Sequence, residues 1–153
     1  MPSQLRSIFA SLARWQFTIA GETVTSPFLM QIEDYPFSGL CPYRIISPAL
    51  NRAESELSGQ SFGNSYQAVR AIDDLLLWRS ILEVPSFSDV VMPLTDYMEA
   101  YEAKWVRNRQ ITSNAFIETV KPLTAGVFKY PAGTETMYYG VLATLIIREN
   151  VDG

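Results

Sequence analysis

The chain contains no histidine. That absence excludes Ser-His-Asp and Cys-His catalysis and every histidine-bearing zinc site, and it leaves proton transfer to carboxylates, tyrosine or lysine. Cysteine is nearly absent as well. Cys41 stands alone, so no internal disulfide framework can form, and a reducing compartment is expected. Positive charge is scarce: 12 Lys and Arg face 16 Asp and Glu, for a net charge of −4. Generic nucleic-acid binding is not expected of such a chain, because neutralising phosphates takes clustered cations. Long apolar runs are missing too. The most apolar segment, Met137–Ile147, falls far short of the ~20 residues that span a bilayer. At the N-terminus Ser7, Ser11 and Arg14 interrupt what would have to be an unbroken signal-peptide core. The expectation is a cytoplasmic protein with no membrane contact.

What is present suits one globular domain over residues 1–153, since 48% of the residues are apolar. Leu5, Ile8, Phe9 and Leu12 fall at helical spacing and predict a short docking helix. Trp15, Phe17 and Ile19 alternate with Gln16 and Thr18, as in a half-buried strand, and Gly21-Glu22 allow a turn. Phe28, Met30 and Ile32 suggest a second strand begun by Pro27, then a DYPFSG loop and a third strand over Cys41–Ser47. Residues 48–63 read as a long polar loop with one helical turn at Asn51–Leu57.

Next comes GQSFGNSYQAVRAIDDLLLWRSILE, residues 59–83. At 100° per residue Ala68, Ala71, Ile72, Leu75, Trp78 and Leu82 share a face, which predicts a helix over Ser65–Glu83 stopped by Pro85. A phosphate-binding loop would need a lysine after its last glycine, and a dinucleotide fingerprint needs G-x-G-x-x-G after a strand. Both are missing, so Gly63, Asn64 and Ser65 read as a turn and cap. Thr95 is placed to cap a further helix through DYMEAYEAKWVRNR, with Tyr97, Tyr101 and Trp105 four apart. Residues 111–125 are ambiguous around Pro122. Gly126–Tyr130 and Met137–Arg148 read as strands of a hairpin, the second open to a buried-helix reading but favoured as strand by its β-branched and aromatic content. The tail NVDG is expected to fray. The fold class that results is α+β: an antiparallel β-meander packed against a central amphipathic helix, with a C-terminal helix and a β-hairpin. Trp15, Phe17, Ile19, Ala68, Ile72 and Leu75 are expected in one core.

The stretch GNSYQAVRAI, with RWQFTI, a proline before FLMQI, DYP and CPYRI upstream, resembles a family of small bacterial domains of unknown function. In that family a Gly-[Asp/Asn]-Ser-x-Gln-Ala-[Leu/Val] motif opens an amphipathic helix. The resemblance covers about Leu12–Glu83, and residues 48–63 and the C-terminal 70 depart from it. It brings no catalytic residues. It implies an association with toxin–immunity systems.

Charge is distributed unevenly. Between Ala53 and Ala103 nine carboxylates face two arginines, a net of −7, whereas Lys104–Lys129 carries a net of +4. Solvated helix faces are one explanation; an acidic surface that captures a basic partner is the other. No D-x-D, E-x-x-H or EF-hand spacing supports a metal site or hydrolase, so no catalytic residue, metal or cofactor is expected. Arg107-Asn108-Arg109 beside Trp105 reads as a helix C-terminus rather than a base-stacking site. Arg79, toward the apolar side of the expected helix, must snorkel or find a carboxylate. Leu77 and Ile81 share the polar arc with the aspartates, and either a second layer covers them or they form an interface. The expected function is that of a small acidic binding protein, an immunity protein that inhibits a basic toxin domain. Its candidate partner-binding residues are Asp73, Asp74, Leu77, Ile81, Glu99 and Glu102. A dimerising accessory domain, a homodimer through its helix or an edge strand, is the alternative, and an enzyme using carboxylate, Tyr or Lys chemistry a third.

Overall fold

The structure, a computed structural model, describes residues 5–25, 41–48, 56–58, 65–129 and 136–152. Helix α1 (Leu5–Ala13) forms where its spacing predicts, with Ile8 and Leu12 fully buried. Trp15, Phe17 and Ile19 then point inward and Gln16 and Thr18 outward, as expected, although regular pairing is confined to β1 (Thr18–Ile19) and β2 (Glu22–Thr23). Ala20 (φ 54°) and Gly21 (φ 79°) join them through left-handed backbone, which a tight two-residue hairpin requires. The expected strand over Phe28–Ile32, the DYPFSG loop and the proposed cap at Gly63-Asn64 lie outside the described residues. Strand β3 (Tyr43–Pro48) matches the expected third strand. β4 (Glu56–Ser58) corrects the expected helical turn at its described end, since Glu56 and Leu57 pair in a ladder.

The central element is the main correction. Ser65–Ser80 is not a helix but a 16-residue strand, β5. The expected central amphipathic helix, and with it the helix that the resemblance implies, does not form. The reason is that both faces of β5 are covered. Ala68, Ile72, Leu76 and Trp78 are buried on one side, and Val69, Ala71 and Leu77 on the other. A strand buried on both faces loses the polar alternation that announces it, and its apolar run imitates a helix.

After a turn and a single 3-10 turn at Phe87–Asp89, helix α2 (Val91–Arg107) begins four residues before the expected cap at Thr95. Val90 precedes it without a side-chain cap, and Pro93 sits in the first turn, where its missing N–H costs nothing. Strands β6 (Gln110–Thr112), β7 (Ala115–Val120) and β8 (Thr124–Lys129) resolve the ambiguous stretch, with Pro122 in the connection between the last two. The final strand, β9 (Met137–Asp152), includes Asn150, Val151 and Asp152, so the tail is paired rather than frayed.

The strands form a curled seven-stranded sheet of order β3-β5-β9-β7-β6, with β4 also on β5 and β8 also on β9. All of its named strand pairs are antiparallel. This is not the simple meander expected, because β5 and β9, far apart in sequence, are neighbours from Ser65↔Asp152 to Ser80↔Tyr138. Bulges at Trp78 and Glu118 add local twist. Gly140 is required at the tightest point, since a Cβ there would lie 2.0 Å from the Leu76 carbonyl oxygen. Both helices and the β1–β2 hairpin contribute to one core with Ile46, Ile72, Leu76, Val141, Leu145 and Ile147. Leu75 is not part of it. It sits half-buried against a second cluster of Tyr43, Ile45, Leu77 and Tyr138 on the opposite side of the sheet.

Candidate interaction surface

Two of the six candidate partner-binding residues lie in the interior. Asp74 is 0% exposed and receives a bidentate pair from Arg44, Nε to Oδ1 at 3.0 Å and Nη2 to Oδ2 at 2.5 Å. The Tyr101 hydroxyl donates to the same Oδ2 at 2.8 Å. Arg44 also donates to the Trp15 and Leu12 carbonyls, at 2.8 and 3.1 Å, at the C-terminal end of α1. Its guanidinium lies over the Phe17 ring, 5.1 Å from the centroid. Burial alone would depress the Arg44 pKa, but Asp74 and the neighbouring tyrosines hold it above its ordinary value. Burial, reinforced by Asp74, raises Tyr97 and Tyr101 well above the usual tyrosine value. The Tyr97 hydroxyl has no hydrogen-bond partner among the described residues. The cluster thus ties α1, β3, β5 and α2 together through one buried carboxylate. Leu77 is also fully buried, so a covering layer, not an interface, accounts for it.

Asp73 faces the other side of the sheet, half-buried, and accepts from the Thr144 hydroxyl directly across the ladder at 2.8 Å. Ile81 is half-buried against the main core. Arg79 stacks over Trp78 and pairs with Glu22, so it finds the carboxylate that its position requires. A second interior charge, Glu149, is paired with Arg70 at 3.0 Å. Bonds within the fold account for Asp73, Arg79 and Glu149.

Glu99 and Glu102 are different. Both are exposed on the outward face of α2. The fold also exposes Leu82, which the helical reading places on the apolar face, and apolar groups that the sequence pattern did not single out. Leu82 is 92% exposed and Met92 68%, with Phe87 and Val91 also open. The turn that carries Leu82 is held by Ser80, whose carbonyl accepts from Glu83 N and whose Oγ accepts from Leu82 N. Phe87 leans on Tyr139, centroids 5.8 Å apart, and the Tyr139 hydroxyl donates to the Val84 carbonyl. Every carboxylate from Glu83 through Glu102 is exposed: Glu83, Asp89, Asp96, Glu99 and Glu102. No Lys or Arg lies between Arg79 and Lys104. The signal is legible in the sequence as a cation-free stretch, whereas the helical reading of Ser65–Glu83 places Asp74, which the fold buries, on an open face.

A groove of about 290 Å³ runs beside the C-terminal half of α2, floored by Phe17, Ala100 and Ala103 and edged by Lys104 and Arg107. The described residues include no cluster of three metal-ligating side chains and no helix long and apolar enough to cross a membrane. Cys41 is half-buried, and burial followed by the charge of Glu83 pushes its thiol up to about 11, so it is protonated at neutral pH. Comparison with family models, with curated proteins and with solved structures finds no match to this chain.

Proposed function

We propose that the chain is an acidic binding protein whose partner presents a basic surface, and that it acts by contact rather than by catalysis. The observation that carries this reading is the cation-free stretch from Ser80 to Ala103, with its five exposed carboxylates and the open side chains of Leu82, Phe87, Val91 and Met92. Apolar groups that desolvate at the centre supply most of the affinity of an interface, and charges around them speed encounter and select the partner's sign. The docking surface is therefore moved from Asp73, Asp74 and Leu77 to the Leu82–Met92 turn and the adjoining face of α2, where Glu99 and Glu102 remain. The finer reading, that the partner is a basic bacterial toxin domain and the chain its immunity protein, rests on the acidic surface and on the sequence resemblance at GNSYQAVRAI, whose implied helix this fold replaces with β5.

The test uses the wild-type chain, a Glu99→Lys/Glu102→Lys variant and a Met92→Glu variant as baits in extract of the native host. The expected partner is basic, binds the wild type with an association rate that falls as salt rises, and loses association rate to the double reversal and residence time to Met92→Glu. A partner that is acidic, or that binds all three alike, overturns the binding surface. If the partner arrests growth when produced alone and is neutralised by co-production of this chain, the immunity reading holds; a harmless partner removes it and leaves the binding surface standing.

A further inference from the structure

The outward face of α2 is segregated by charge. Asp96, Glu99 and Glu102 occupy its middle and Arg107 its last turn, while Lys104, half-buried, turns its ammonium over the Phe17 ring. The helix dipole accounts for the basic end. It acts on acidic groups only in the first turn, where α2 has none. The helix also cannot pair these charges with one another. Counting three and four residues either way from Asp96, Glu99, Lys104 and Arg107 reaches no group of opposite sign. Among the described residues none of the four takes part in an ion pair, whereas Arg44, Arg70, Arg79 and Arg148 all do. Between the acidic and basic stretches lie Ala100 and Ala103, which floor the groove beside the helix.

We propose that this face of α2 is a self-complementary surface that binds α2 of a second copy, antiparallel, about a two-fold axis between Ala100 and Ala103. An axis there sets Asp96 opposite Arg107 of the partner subunit, and symmetry repeats the pair. The same patch then serves both copies, as a two-fold contact requires. The alanines at the axis let the two helices approach closely, because interaxial distance follows side-chain size at the crossing. The order of charge along the helix favours the antiparallel arrangement, since a parallel one would set acid against acid. The paired stretch, residues 96–107, leaves the Leu82–Phe87 turn outside it but includes the α2 face assigned to the basic partner, so a second copy and that partner compete for it; the test below contains no partner and reads the dimer alone.

The test is sedimentation equilibrium of the full chain over a concentration series at low and high salt. The wild type is expected to dimerise, and more weakly at high salt. Asp96→Arg and Arg107→Asp are each expected to weaken the dimer roughly tenfold or more, as replacing attraction by repulsion in two symmetric pairs should. The doubly substituted chain exchanges the charges within both pairs and is expected to return to within about threefold of the wild type. An equimolar mixture of the two single variants satisfies both pairs in a heterodimer and is expected to associate more tightly than either variant alone. That mixture also controls for folding, because unfolded chains would not rescue one another. A wild type that stays monomeric throughout overturns the proposal. So does a dimer indifferent to the single changes, or a double variant as weak as its parents.

Discussion

Asp74 and Glu99 carry the same chemical group in two stretches of similar acidity, and the fold treats them in opposite ways. Asp74 is sealed under two helices with Arg44 and Tyr101 bonded to it. Glu99 stands in solvent on the outer face of α2. A buried carboxylate is tolerated only with a matched cation and satisfied oxygens, whereas an exposed one contributes little to stability and remains available for recognition. Residue type therefore says little about role here; the number of elements converging on the group decides it.

The sharpest way to break this comparison is to remove each charge. Asp74→Asn should destabilise the chain by about 3–5 kcal/mol, because it strands a buried guanidinium. Glu99→Gln should stay within about 0.5 kcal/mol. Urea unfolding of the two variants measures both, and equal effects would mean that the Arg44–Asp74 pair is not sealed in solution. Replacing the pair together, Arg44→Met with Asp74→Leu, should recover most of the loss.

Next in size is a comparison of adjacent leucines. Leu76 lies in the main core at 0% exposure, and Leu75 is half-buried on the opposite side of the sheet. Leu76→Ala should cost about 2–5 kcal/mol and Leu75→Ala about 1 kcal/mol. The reverse order would favour a helix over Ser65–Glu83, which puts Leu75 in the core.

The smallest effect concerns the tyrosines beside Asp74. Their raised folded-state pKa values mean that the unfolded chain loses its protons first as pH rises. This contribution to stability is complete below the ordinary tyrosine value of 10.0 and declines as pH climbs above it toward the folded values. Tyr97→Phe removes one of the two groups and a buried hydroxyl with no partner among the described residues. It should be neutral or stabilising by up to about 1 kcal/mol at pH near 7, and it should make the alkaline decline shallower. Urea midpoints of the wild type and the variant across that range test it. A decline unchanged in slope would show that Tyr97 titrates normally in the folded chain.

Much of the local structure was readable in the sequence. The spacing of Leu5, Ile8, Phe9 and Leu12 gave α1, and Tyr97 and Tyr101 marked the buried side of α2. The alternation through Trp15, Phe17 and Ile19 named its core residues, and the β-branched content of Met137–Ile147 gave β9. These patterns are local, because one covered face and one wet face leave a period in the chain. β5 carries no such period. Ala68, Ile72 and Leu76 are four apart, a spacing that keeps to one side of a helix and equally to one side of a strand. Ala71 and Leu75, from the opposite side of the strand, filled in the rest of a false helical face. Only pairing with β9, whose nearest aligned residue lies more than fifty positions along the chain, separates the two readings.

The sequence by itself determined that the chain has no histidine chemistry, no disulfide framework and a cation-free acidic stretch from Ser80 through most of α2. Those are properties of the residue list and no fold could alter them. Which aspartate would be buried, which leucine would enter the core and which carboxylates would stay in water were decided by the tertiary structure. Burial is a relation between distant segments. Asp74 became interior only because Arg44 and Tyr101 arrived from other parts of the chain to donate to it, with the carbonyls of Leu12 and Trp15 accepting from Arg44 in turn.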